Sequence, residues 1–85
     1  MTTEDEQTLA TLLELVARVC ALEETQVHPE GELIAYGLDS VLALDLLVEI
    51  EQRWAIALPE HDPALRSVVT VRDLACVVEQ RRAQT

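Results

Sequence analysis

The sequence predicts an all-α fold: a small four-helix bundle, three main helices plus one short third helix, with a long first loop. Three observations carry this. Apolar residues are 49 % of the 85 residues but aromatic ones only 2 %, so the core must be Leu, Val, Ala and Ile. That composition suits packed helices better than a sandwich rich in aromatic and β-branched residues. Apolar residues recur at helical spacing in three stretches, each opened by a capping residue. All prolines and both glycines fall between those stretches. At this length, residues 1–85 form one domain that buries about 60 % of its unfolded surface. No room is left for a second domain or a deep enclosing cleft.

Thr3-Glu4-Asp5-Glu6 has the spacing of a capping box, and the first helix is predicted from about residue 4 to 21. Leu9, Leu12, Leu13, Val16, Val19 and Cys20 share its apolar face. Cys20 falls mid-stripe and is expected in the core. Residues 22–39 contain Pro29, Gly31 and Gly37 and lack helical periodicity. A loop this long is commonly functional or packed by its own side chains; Val27, Leu33, Ile34 and Leu38 are expected to pin it to the bundle.

The second helix is predicted over Ser40–Trp54, with Ala43, Leu46, Leu47, Ile50 and Trp54 as its core face. Asp45, Glu49 and Gln52 form a polar stripe that contains Leu42, while Glu51 falls among Val41, Leu44 and Val48. Exposed leucine mixed with carboxylate marks a partner-binding face; the alternative is a buried helix with charged ends. After Pro63 there is room for only a short helical turn. Thr70 and Asp73 open the last helix, which buries Val71, Leu74, Ala75 and Val78 and runs to about Ala83. Arg81 and Arg82 sit at the negative end of its dipole. Cys76 faces the other way and is expected to be the more exposed thiol.

Sixteen acidic residues against six arginines give a net charge of −10. This repels nucleic acid and anionic membrane and attracts basic protein partners, although acidity also serves solubility alone. No apolar run approaches the ~18 residues of a membrane span, and the acidic N-terminus is unlike a signal peptide, so a cytoplasmic protein is expected. Cys20 and Cys76 form no C-x-x-C, and His28 and His61 are isolated. Neither a metal site nor a disulfide is expected.

Ser40 has three readings. It could be a helix cap, a role Asp39 alone could fill. It could be a catalytic nucleophile, but no glycine follows it in the manner of G-x-S-x-G and no histidine stands at telling spacing. It could be an attachment site, where an exposed hydroxyl at a helix N-terminus would hold a phosphodiester against the amides and the positive dipole end. Physical chemistry alone leaves these open.

Gly37-Leu38-Asp39-Ser40 followed by an acidic, apolar helix resembles the attachment motif of acyl carrier proteins. The likeness extends to the capped first helix, the long loop, Asp45, Glu49 and Glu51, Leu58-Pro59, the short third helix and Val69-Thr70-Val71-Arg72-Asp73-Leu74. It implies that a phosphopantetheinyl transferase attaches 4′-phosphopantetheine from coenzyme A to Ser40. The arm's thiol then carries acyl groups as thioesters, and the protein itself catalyses nothing. Asp39, Val41, Leu42, Asp45, Glu49 and Glu51 would meet basic docking patches on acyl-loading, ketosynthase, condensation or tailoring enzymes. Such contacts give fast, selective association more than tight binding.

Where fatty-acid carriers usually have an acid two positions after the serine, this chain has Leu42. Ser40-Val41-Leu42-Ala43 is more similar to carriers of modular polyketide and nonribosomal peptide systems, whereas Gly37-Leu38-Asp39 is unlike the usual peptidyl-carrier approach. The resemblance therefore implies a carrier of specialised metabolism, with aminoacyl, peptidyl or fatty-acid carriage as alternatives. The net charge of −10 and the length resemble a discrete, monomeric carrier, and a domain excised from a megasynthase would look similar. An acidic helical adaptor without a prosthetic group is the alternative of a different class.

Overall fold

The computed structural model describes the backbone of residues 3–84 and the side chains of residues 6–84. Three α-helices, α1 (Thr3–Val19), α2 (Ser40–Trp54) and α3 (Val71–Ala83), are joined by segments containing short 3-10 helices at Glu24–Gln26, Leu33–Tyr36 and Pro63–Ser67. The expected bundle, helix order and bounds of α2 are all present. The capping box expected at Thr3 lies outside the described side chains.

α1 packs against both α2 and α3. Leu12, Val16, Leu46, Ile50, Leu58, Val71, Leu74 and Val78 form the fully buried centre. Thr8 is 1 % exposed, and its hydroxyl donates to Glu79 Oε1 at 3.0 Å and accepts from Arg82 at 3.1 Å. A polar group buried between α1 and α3 is thus fully paired, which is the condition for tolerating it there.

α1 and α2 both end on alanine. Ala21 and Ala55 take left-handed backbone angles, with φ of 58° and 54°, a conformation that glycine adopts more cheaply. Beyond Ala21, the Leu22 amide donates to Ala17 O at 2.8 Å, closing the helix two residues earlier than its apolar stripe predicts. Cys20 therefore lies past the last helical turn and is half-buried rather than central to the core. Ile34, expected to pin the loop, is 77 % exposed. The reason is local: Leu33–Tyr36 is a 3-10 helix with three residues per turn. Leu33 and Tyr36 share its inward side and Ile34 points out.

The second half of the long loop is stitched to the start of α3. Glu32 pairs with Thr70 in an isolated antiparallel bridge, and the Leu33 amide donates to Val69 O at 2.9 Å. The first amides of α3 are then accounted for. Val71 N donates to Gly31 O and Arg72 N to Pro29 O, at 3.2 and 2.9 Å, and Asp73 N donates to Thr70 Oγ1 at 3.1 Å. Helix-start amides need such acceptors. Gly31 is required by close approach, since a Cβ there would lie 1.8 Å from Tyr36 Oη, the atom that accepts from the His28 amide at 2.9 Å.

Candidate functional site

The clasped loop delivers the chain to Ser40 in a defined way. Gly37 follows the 3-10 helix with φ of 86° and turns the chain. Asp39 is extended, and its Oδ1 accepts from Leu42 N at 2.8 Å, so Asp39 is the N-cap. The cap is therefore supplied without the serine. Ser40 is the first residue of α2 and is exposed. The first intrahelical hydrogen bond runs from Ala43 N to Asp39 O at 2.8 Å. Ser40 thus presents its hydroxyl at the amide end of the helix, where a phosphate group is favoured.

Ser40 also lines an apolar groove of about 560 Å³. Loop residues Leu33, Ile34 and Leu38 form one wall, Ala43, Leu44, Leu46 and Leu47 of α2 another, and Leu65, Val68, Val69 and Leu74 close the third side. Neither His28 nor His61 lines it. A hydroxyl at the edge of an apolar groove fits a long, flexible substituent with a lipophilic end, and neither histidine lies along the groove to activate that hydroxyl as a base would. Among the described residues no group of three metal-ligating side chains occurs, and no helix is long and apolar enough to cross a membrane.

The other residues singled out in α2 divide. Val41 is 67 %, Leu44 43 % and Val48 48 % exposed, and Asp45 is exposed beside them while Leu42 is half-buried. Glu49 is ion-paired with Arg18 of α1. Glu51 turns to the protein itself, its Oε2 accepting from Leu58 N at 2.8 Å, and holds the segment that leaves α2. A helical wheel assigns these acids a side but not their partners.

Two thiols behave differently. Cys76 is exposed on α3, as expected, while Cys20 is half-buried. Burial, and then the Asp39 carboxylate, push the Cys20 thiol above its ordinary value. Two features had no signal in the sequence: the groove, whose walls come from separated segments, and Glu60, the charged residue lining it.

Comparison with known proteins identifies the family and the fold. The family described as "phosphopantetheine attachment site" matches residues 10–76. A non-reducing polyketide synthase, dbaI, of Emericella nidulans is 35 % identical over 60 residues, 71 % of this chain and 2 % of that protein. The 3-methylorcinaldehyde synthase of a Phoma species is 38 % identical over 64 residues, 75 % of this chain and again 2 % of its partner in the comparison. The chain thus spans a small fraction of those synthases. The meromycolate extension acyl carrier protein of Mycolicibacterium smegmatis is 25 % identical over 81 residues, 94 % of this chain and 80 % of that one. The fold matches the HMG-ACPI domain from the CurA module of Lyngbya majuscula, solved by NMR, with a TM-score of 0.79 at 19 % identity, covering 99 % of this chain and 89 % of that one. The chain belongs to the phosphopantetheine-attachment family, whose members bear a covalently held 4′-phosphopantetheine.

Proposed function

We propose that this chain is an acyl carrier, modified at Ser40, that serves polyketide assembly. The observation that carries the reading is the exposed Ser40 hydroxyl, relieved of capping by Asp39, at the edge of an apolar groove. Ser40 Oγ would attack the pyrophosphate of coenzyme A at the phosphorus bearing the pantetheine. A new O–P bond forms, adenosine 3′,5′-bisphosphate leaves, and the hydroxyl proton passes to a base on the transferase. Once attached, the arm supplies a thiol that holds acyl groups as thioesters. The chain's own residues perform no bond chemistry on those groups. Asp39 holds the first turn of α2, and the loop–α3 clasp fixes the approach to it.

Val41, Leu42, Asp45 and Glu49, with Asp39 beside Ser40, form the face offered to the transferase and to acyl-loading, ketosynthase, condensation or tailoring enzymes. The net charge of −10 steers this face toward basic patches on them. Tethering raises the concentration of the cargo at whichever enzyme has docked. The polyketide assignment rests on the named synthases among the relatives. Intact mass after incubation with coenzyme A, magnesium and a promiscuous phosphopantetheinyl transferase tests the reading. One phosphopantetheine is expected on the natural chain and none on Ser40→Ala. No addition to the natural chain leaves only an acidic adaptor.

A further inference from the structure

The groove beside Ser40 is apolar except for Ser40 itself and Glu60. Where Glu60 stands follows from the path of the chain. α2 carries the first wall away from Ser40, rising about 10 Å by Leu47 at 1.5 Å per residue. After Trp54 the chain returns, contributing Glu60, then Leu65, then Val68 and Val69. Val69 is back beside the loop wall, where its carbonyl accepts from the Leu33 amide. Glu60 is the first lining residue contributed after the chain leaves the end of α2 opposite Ser40.

Its position is fixed from both sides. Leu58 is fully buried, with its amide held by Glu51. Asp62 is 8 % exposed; it accepts from Ala64 N at 2.9 Å and is ion-paired with Arg81 of α3. Between these two anchors Glu60 is exposed and lines the groove. Neither the helix periodicity nor the capping of the next turn requires an acid here, because Asp62 does the capping.

We infer that Glu60 selects the chemistry of the cargo's far end: a chain tipped with a hydrogen-bond donor, such as a hydroxyl, is held in the groove, and a chain tipped with a carboxylate is turned out. A carboxylate accepts hydrogen bonds and donates none. It can pair with a hydroxyl arriving at the end of an otherwise apolar path, and it repels a second carboxylate. The groove therefore shelters reduced, hydroxylated acyl chains and leaves dicarboxylic extender-type groups exposed to the docked enzyme. This deepens the Ser40 reading and rests on it.

The test loads the full chain, by transferase and coenzyme A derivatives, with a homologous series of saturated acyl groups ending in methyl, hydroxyl or carboxylate. Two readouts report burial: displacement of the Leu47 and Leu65 methyl resonances, and protection of the thioester from hydroxylamine. Glu60→Ala should lower protection of the hydroxyl-tipped chains about fivefold, the scale of one modest hydrogen bond. It should leave methyl-tipped chains unchanged and raise protection of carboxylate-tipped ones. Glu60→Gln, which keeps an acceptor, should restore the hydroxyl-tipped chains while still relieving the carboxylate-tipped ones. Equal effects on all three tips, or none, would overturn the inference while leaving attachment at Ser40 intact. Failure to load the natural chain at all would instead remove the attachment reading, and this inference with it.

Discussion

Removing the Asp39 side chain separates two things that the residue does. Its Oδ1 accepts from Leu42 N at 2.8 Å in an exposed setting, and replacing an N-cap acid by alanine costs about 1 kcal/mol. For a domain of this size that lowers Tm by about 4–8 °C. Asp39→Asn keeps the acceptor and should melt closer to the natural protein. It loses the attraction of a carboxylate for the helix dipole, about 0.3–1 kcal/mol, partly offset by reducing the net charge of −10. The transferase reaction should order the variants differently. Both lack the charge beside Ser40, so both should react more slowly than the natural chain at low salt, and the difference should shrink as salt rises. Asp39→Ala should be slower still, because the turn that carries Ser40 frays. Thermal melting by circular dichroism and initial rates of modification read the two effects. An alanine variant that melts with the natural protein would refute the capping argument, and an asparagine variant modified at the natural rate at low salt would refute the charge argument.

Three further outcomes follow from the same structure. Ala55→Gly should stabilise the protein by about 0.5–1 kcal/mol, because the left-handed φ of 54° at the end of α2 strains an L-residue more than glycine; an unchanged or lower denaturation midpoint contradicts this. Hydrogen bonds from the Thr70 and Val69 amides hold the Asp73 carboxyl below its ordinary value. Its contribution is therefore present above the ordinary carboxylate range and is lost as pH falls through the folded value. Asp73→Asn should flatten the acid limb of stability against pH, and an acid limb identical to the natural one would argue otherwise. Iodoacetamide should label the exposed Cys76 before Cys20, whose thiol burial and Asp39 push upward; peptide mapping that finds Cys20 labelled first would reverse that assignment.

Much of the bundle was legible because its signals are local. Asp39 with the apolar run behind it marks α2, and Thr70 with Asp73 marks the start of α3; both caps are present. The buried pair Leu46 and Ile50 likewise lies where helical spacing puts it. What escaped depends on geometry that spacing does not encode. Ile34 is outward because its segment follows a three-residue period in place of the helical one. α1 closes early because Ala21 adopts a conformation for which its sequence gives no warning. The bridge between Glu32 and Thr70, and the turning of Glu51 to Leu58, join residues that no periodicity relates. The attachment motif could be read at the level of residues, but the groove beside it could not, since its walls meet only in the folded chain.

Only two serines occur in the chain, Ser40 and Ser67, and both are exposed. They separate on tryptic digestion: cleavage after Arg18 and Arg53 gives residues 19–53 with Ser40, and cleavage after Arg66 and Arg72 gives residues 67–72 with Ser67. Tandem mass spectrometry of the protein modified by the transferase therefore locates the arm directly. Phosphopantetheine confined to the 19–53 fragment, with fragment ions bracketing Ser40, is the predicted result. Modification found on the 67–72 fragment would contradict the account.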